Sequence, residues 1–220
     1  MEKLLLKDVT YQYKNKYQTV IAVNKVNFTF EKGVFYAIIG KSGCGKTTLL
    51  SLIAGLDLPH SGEIFYDGVN VAYMNREQYR REKVTMVYQN YNLFPLLTVL
   101  ENVMFPLRLT GISTKKAKKK AVDLIQSVGM DEMYYDRFPF MLSGGEQQRI
   151  AIIRALATSA DVILADEPTG NLDTQNSINI ITMLMNLAHE ENYCVIVATH
   201  DMSIADKADI VIKMEDGKFI

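Results

Sequence analysis

Gly40-Lys-Ser-Gly-Cys-Gly-Lys-Thr47 sets three glycines, a lysine and a threonine in the order a phosphate cradle requires. Glycines let successive backbone amides converge on phosphate oxygens, and the N-terminus of a following helix adds favourable potential. In such a loop Lys46 would reach the β- and γ-phosphates of a nucleotide, and Thr47 would hold Mg²⁺ through its hydroxyl. Gly40, Lys41, Ser42, Gly43, Cys44, Gly45, Lys46, Thr47 and Thr48 are therefore candidates for binding the phosphates of a nucleotide. A chance match in a glycine-rich turn is the alternative. The apolar run Val34–Ile39 before the loop and the helix-like Thr47–Ala54 after it speak against that.

Two further groups could do chemistry. Asp166 and Glu167 follow the apolar Val162-Ile-Leu-Ala165. Carboxylates at the C-terminal end of a buried strand lie where open α/β sheets place ligands. Asp166 can bind Mg²⁺, and Glu167 can take a proton from an attacking water. On their own, two acids before Pro168 also suit a helix cap or a solvated loop. Ser143-Gly-Gly-Glu146 has the form of a capping box, an ordinary helix start. Two glycines in a first helical turn are costly, by up to ~1 kcal/mol each relative to alanine. Their gain is bare backbone that a phosphate could approach.

The elements that must position these residues form a pattern. Leu4–Tyr13, Val26–Phe30, Val34–Ile39, Ile64–Tyr66 and Val84–Tyr88 are strand-like, punctuated by Gly33 and Asp67-Gly68. Residues from about 98 to 158 hold helical spacings instead, including Lys115–Val128 and Glu146–Ala157. Val162–Ala165 and Val195–Thr199 are almost wholly apolar, as strands buried on both faces of a parallel sheet are. Ser177–Leu187, between them, has helical spacing. The expected fold is an α/β core with a helical lobe inserted at about 91–158.

Composition sets limits. A chain of 220 residues with 48% hydrophobic content can bury one large core. A net charge of −1 gives no global field for nucleic acid. Two cysteines, Cys44 and Cys194, are too few for a disulfide framework and suit a reducing compartment. Met1–Asp8 lacks the features of a signal peptide, and no apolar run approaches the ~20 residues that span a bilayer. The expectation is a soluble chain that, if it transports, does so through a partner.

Leu142-Ser-Gly-Gly-Glu-Gln-Gln-Arg149 lies between the phosphate loop and Asp166-Glu167. That octapeptide in that order resembles the ATP-binding cassette of ABC transporters across nearly the whole chain. The resemblance implies a P-loop NTPase (RecA-like) core, an N-terminal antiparallel β-subdomain and an inserted helical lobe. It implies one domain over 1–220, with core segments 1–90 and 159–220 and the lobe at 91–158. Lys41 and Cys44 depart from the commonest form of the loop, where proline and serine are frequent; Cys44 could make the site sensitive to thiol reagents.

Further roles follow from the resemblance alone. Glu167 would be the general base. Ser143, Gly144 and Gly145 would meet the γ-phosphate held by a second copy, in a head-to-tail homodimer formed on ATP binding. Gln89 would touch Mg²⁺ and water, His200 would bond the γ-phosphate, and Asn171-Leu-Asp173 would cross the dimer interface. Tyr13 would stack on adenine, with a plain strand aromatic as the alternative. Tyr91-Asn-Leu-Phe-Pro-Leu-Leu97 would supply a groove for transmembrane permease subunits, with Phe94 or Leu96 exposed and core packing as the alternative.

The implied protein is an ATPase coupled to transport, cytoplasmic and peripheral on the inner face of the membrane. Glu-Pro-Thr-Gly-Asn-Leu-Asp173 and Asn92-Leu-Phe-Pro-Leu-Leu97 look most like the branch of macrolide exporters, lipoprotein-releasing ATPases and antimicrobial-peptide resistance pumps. The chain ends soon after Asp216-Gly217, so no importer-type C-terminal domain is expected. Three rival readings are a non-transport ABC ATPase of DNA repair or translation, a mechanotransmitting ATPase that signals to a cell-wall or division enzyme, and a pseudo-ATPase. The run Lys115-Lys-Ala-Lys-Lys-Lys120 reads as a solvated helix face or as a surface for anionic headgroups. Nucleic acid is not expected, since no aromatic platform accompanies it.

Overall fold

A computed structural model gives the architecture of residues 2–14 and 16–220; Met1 and Asn15 lie outside the described residues. The chain opens with long strands β1 (Glu2–Lys14) and β2 (Thr19–Glu31), then β3 (Phe35–Ile39) and α1 (Lys46–Ile53). Strands β4 (Ser61–Tyr66) and β5 (Val69–Asn70), helix α2 (Arg76–Glu82) and β6 (Val84–Tyr88) follow. Three helices come next: α3 (Val99–Leu109), α4 (Thr114–Ser127) and α5 (Gly144–Leu156). The remainder is β7 (Val162–Asp166), α6 (Thr174–His189), β8 (Cys194–Thr199), α7 (Met202–Ala205), β9 (Ile210–Glu215) and β10 (Lys218–Phe219).

Among the described residues there are two sheets. One is antiparallel, ordered β2-β1-β4-β5; the other is ordered β10-β9-β3-β8-β7-β6. In the second, β9, β3, β8, β7 and β6 run parallel and β10 is antiparallel to β9. Every residue of β8 is buried, and Val162 to Ala165 of β7 are fully covered, as apolar strands flanked on both faces require. The parallel register aligns the C-terminal ends of β3, β7 and β8, so their following loops gather at one edge. That edge is where a doubly wound sheet offers a crevice.

The three helices between β6 and β7 bury their own core. Val99, Val103 and Leu107 of α3 meet Ala117, Ala121 and Ile125 of α4 and Ile150 and Ile153 of α5. Thr98 and Glu101 form a capping box at the start of α3. Leu93 packs against this cluster. Among the described residues no helix is long and apolar enough to cross a membrane.

One charge network ties the two sheets together. Lys3 of β1, almost fully buried, pairs with Asp67 at 2.6 Å and with Asp161 at 2.8 Å. Lys32 also reaches Asp161 at 2.5 Å, and the Tyr66 hydroxyl donates to it at 2.7 Å. Burial works against the charge of Asp161, but hydrogen bonds from Lys3, Lys32 and Tyr66 outweigh it and hold the carboxyl below its ordinary value.

Candidate active site

The phosphate-loop residues form the turn between β3 and α1. Gly45, the residue before α1, has φ of 110°, and a Cβ there would strike the backbone carbonyl of Ala22. Only glycine fits this position without moving β2. Lys46 is buried and folds back over the loop, its ammonium donating to the carbonyls of Gly40 at 2.6 Å and Lys41 at 3.3 Å. Its charge also stands 3.9 Å from Glu167 Oε1. The ammonium is thus held between the loop and the acidic strand end.

Beside it, the Thr47 hydroxyl donates to Asp166 Oδ1 at 3.1 Å. Burial pushes the Asp166 carboxyl above its ordinary value; the Thr47 hydrogen bond and the Lys46 charge oppose this, and the Glu167 charge adds to it. Glu167 has φ of 47°, in the left-handed region, and its amide donates to the Ala198 carbonyl at 2.9 Å. Such strain in a non-glycine residue persists only where the surroundings enforce it. Here it turns the carboxylate toward β8. Oε1 meets His200 Nδ1 at 2.9 Å, and Oε2 accepts from the Thr199 hydroxyl at 3.1 Å.

A cleft of ≈550 Å³ collects Tyr13, Ser42 to Thr48, Gln89, Asp166 and Glu167, along with Asp216-Gly217. Tyr13 is half exposed on its wall, its hydroxyl 3.1 Å from Thr48 Oγ1 and its ring edge-on to Tyr11 at 5.2 Å. His200 reaches the cleft through Glu167. Ser143, Gly144 and Gly145 do not line it. Ser143 caps α5, in a reciprocal capping box with Glu146.

The glycine pair has a reason inside the chain as well. A Cβ on Gly145 would overlap the Asn176 side chain, and one on Gly144 would lie 2.8 Å from the Tyr91 hydroxyl. The sequence alone points only to an outside ligand, because Asn176 and Tyr91 are distant in the chain and carry no local signal.

Arg154 and Asn102 also matter, though sequence reasoning passed over them. Tyr91 and Asn92 both have positive φ, and Arg154 of α5 donates to their carbonyls at 3.2 and 2.7 Å. Asn102, fully buried in α3, donates to the carbonyls of Phe94, Leu97 and Thr98 and accepts from the Phe94 amide at 2.9 Å. A polar residue inside an apolar helical run was the signal available for Asn102. Beside this loop runs a second groove of ≈560 Å³, lined by Arg80, Phe94, Phe105, Pro106, Leu109 and Arg154 among others. Phe94 lies in it, 4.6 Å from Phe105; Leu96 is highly exposed and stands outside it.

The model of the ABC transporter family matches residues 23–170. The chain belongs to the ABC transporter family. It is similar to the uncharacterized ABC transporter ATP-binding protein YclH of Bacillus subtilis, 44% identical over all of this chain and 96% of that one. It is 38% identical to the methionine import ATP-binding protein MetN of Staphylococcus saprophyticus, over 98% of this chain and 64% of that protein. Among solved structures it resembles the dimeric bacterial ABC transporter cassette MJ0796, with a TM-score of 0.90, 37% identity and coverage of 98% of this chain and 96% of that one. A post-hydrolysis state of MJ0796, bound to ADP and Pi, matches equally well. The cassette is an ATP-binding ATPase with the α/β fold of that family.

The donors at the cleft fit Mg²⁺. The Thr47 hydroxyl and the Asp166 carboxylate are hard oxygens side by side, and Gln89 offers an amide oxygen from the same wall. Mg²⁺ takes one or two protein oxygens and keeps water and phosphate for the rest.

Proposed function

We propose that two copies of this cassette close head to tail on two ATP molecules and drive a membrane permease seated in the Phe94 groove. The observation that carries this reading is the split of the site. One chain supplies Lys46, Thr47, Asp166 and Glu167 around the cleft, with His200 bonded to Glu167, while its own Ser143–Gly145 stand elsewhere. A second copy would complete each site, as the dimeric MJ0796 cassette supports.

In this mechanism the loop amides and Lys46 hold the β- and γ-phosphates. Tyr13 stacks on adenine, and Thr47, Asp166 and Gln89 would hold Mg²⁺, which would neutralise charge on the phosphates. Glu167 Oε1 accepts a proton from the attacking water. His200, tied to the same oxygen, orients the carboxylate and bonds the γ-phosphate. Thr199 fixes the other carboxylate oxygen, so the carboxylate is held from both sides. Ser143 and the glycine amides of the partner subunit close over the γ-phosphate.

The cassette then comprises core segments 1–90 and 159–220 and a lobe at 91–158, peripheral on the cytoplasmic face of the membrane. Of the family's branches, export or extraction by the macrolide, lipoprotein-release and peptide-resistance pumps fits Glu167-Pro-Thr-Gly-Asn-Leu-Asp173 best.

The test is reconstitution with the permease. Phe94→Asp is expected to keep basal ATPase activity and lose stimulation by, and co-purification with, the permease. Unchanged stimulation in a folded Phe94→Asp cassette overturns the groove as the docking site.

A further inference from the structure

We infer that the N-terminal half of α4 is a second contact with the membrane, made by Lys115, Lys116, Lys118 and Lys119 with the headgroups of anionic lipids. The inference rests on the reading of the Phe94 groove as the permease-facing side. Five lysines crowd into the first two turns of α4 against a single carboxylate, Asp123. All five are exposed. Among the described residues, none of the five and not Asp123 forms an ion pair within 4 Å. Lys120 alone is engaged, its ammonium 3.5 Å from the Ala157 carbonyl.

This arrangement opposes helix formation. Cations at a helix N-terminus face the positive end of the macrodipole, and the first turn of α4 holds no acid. Ser113, the residue before the helix, makes no side-chain cap. Lys115 and Lys116 stand three or four positions from Lys118, Lys119 and Lys120, where like charges repel along one helix face. The helix holds because Ala117, Ala121 and Ile125 are buried against the lobe. An anionic surface would offset the repulsion, and among the described residues this half of α4 has no such partner.

Place decides which anion. The Phe94 groove is lined by Phe105, Pro106 and Leu109 of α3 on one side and by Thr158 on the other. Leu109 is six positions before Lys115, and exposed Ile112 lies between them. Lys120 touches the carbonyl of Ala157, next to Thr158. Helix α4 therefore adjoins the groove along the chain, starting five residues after Leu109, and in space through Lys120. A helix that adjoins a permease-facing groove meets the bilayer surface, where juxtamembrane lysines bind anionic headgroups and are screened by salt.

The experiment is vesicle co-sedimentation of the whole cassette without permease. Vesicles of phosphatidylcholine with 30% phosphatidylglycerol are compared with pure phosphatidylcholine, between low and physiological salt. Wild-type protein is expected to pellet only with the anionic vesicles, and less as salt rises. The quadruple variant Lys115→Gln, Lys116→Gln, Lys118→Gln, Lys119→Gln should lose on the order of a thousandfold in partitioning while keeping basal ATPase activity. Glutamine keeps helix propensity close to that of lysine, so folding is preserved. Equal pelleting with both vesicles, or unchanged pelleting of the variant, overturns the inference. So does tighter binding of a single-stranded oligonucleotide than of the anionic vesicles at the same salt. The two readings fail separately. Phe94→Asp is expected to retain vesicle binding, so its loss of permease stimulation reports on the groove alone, and the quadruple variant's loss of vesicle binding reports on the lysines alone.

Discussion

Glu167 and His200 sit at the ends of neighbouring parallel strands, and their side chains meet at 2.9 Å between Oε1 and Nδ1. The family resemblance gives these residues separate duties, one toward water and one toward phosphate. The structure joins them in one unit, with Thr199 holding the other carboxylate oxygen. Replacing Glu167 with Gln keeps the shape and removes the basicity. Hydrolysis should fall ~10²–10⁴-fold, in line with the loss of a general base. ATP should then hold two copies together, and light scattering should show a dimer only with ATP. A variant that stays monomeric with ATP at high concentration counts against the composite site.

Lys46→Ala removes the ammonium that bridges the loop carbonyls and Glu167. Binding of the β- and γ-phosphates and turnover should both collapse. Near wild-type turnover in purified protein would place the phosphate site elsewhere.

The structure separates two effects at the start of α5. Ser143→Arg should leave ATP affinity of the monomer unchanged by calorimetry and abolish ATP-dependent dimerisation. Some stability is lost with the cap, about 1 kcal/mol. Gly145→Ala acts within the chain, because its methyl meets Asn176. Overpacking of this kind costs about 1–3 kcal/mol. Its melting temperature should recover in part when Asn176→Ala is added. Absence of any recovery would mean that Asn176 is not what the methyl meets.

The Lys3–Asp161 network makes stability depend on pH at both extremes. Asp161 has a lowered folded pKa, so its contribution is present above the ordinary carboxyl value of 3.8 and is lost as pH falls through the folded one. For Lys3, burial favours the neutral form, but Asp161 and Asp67 outweigh it and raise the pKa above 10.5. Its contribution is present below that value and is lost as pH rises through the folded one. Between these limits the contribution of this network should not change with pH. Asp161→Asn should lower it at neutral pH, by about 1–3 kcal/mol in stability, and flatten the acid limb. An acid limb as steep as wild type in that variant would assign acid unfolding to other carboxylates.

Cys44 is the partly exposed thiol of the phosphate loop, and Cys194 is buried. Burial also pushes the Cys194 thiol up to about 12, which leaves it unreactive. N-ethylmaleimide should inhibit the ATPase by modifying Cys44, and ATP should protect it. Cys44→Ser should resist. Inhibition that persists in Cys44→Ser would trace the effect to something other than this loop.

The apolar strands were legible because burial on both faces leaves no polar position to confuse the pattern, as in Val162–Ala165 and Val195–Thr199. The start of α5 was legible because Ser143 and Glu146 are three residues apart. What escaped was set by distance in the chain. Helix α2 is short and polar, with only Tyr79 buried, so no apolar period marks it. Strand β2 runs well beyond Val26–Phe30, because pairing with β1 extends it through the polar Asn24 and Lys25. Asn176 beneath Gly145 and Arg154 beneath Tyr91 act across the fold, where local sequence carries no mark. The turn from Gly40 to Thr47 was legible as a unit, because its residues are consecutive in the chain.

Arg154 and Asn102 grip the segment from Tyr91 to Thr98 from the helices, while Asn171, after β7, donates to the Gln89 carbonyl at 3.2 Å from the side of the sheet. Two sets of fasteners thus meet between Asn90 and Tyr91. Beyond that joint the segment bearing Phe94 is cast as one piece with the helices, and before it Gln89 is cast with the strands. If helices and sheet turn against each other, the twist has one short place to go, and Phe94 swings with the helices like the hook on a crane arm. A load hung on that hook would be felt first at the amide of Gln89, one residue behind the pivot.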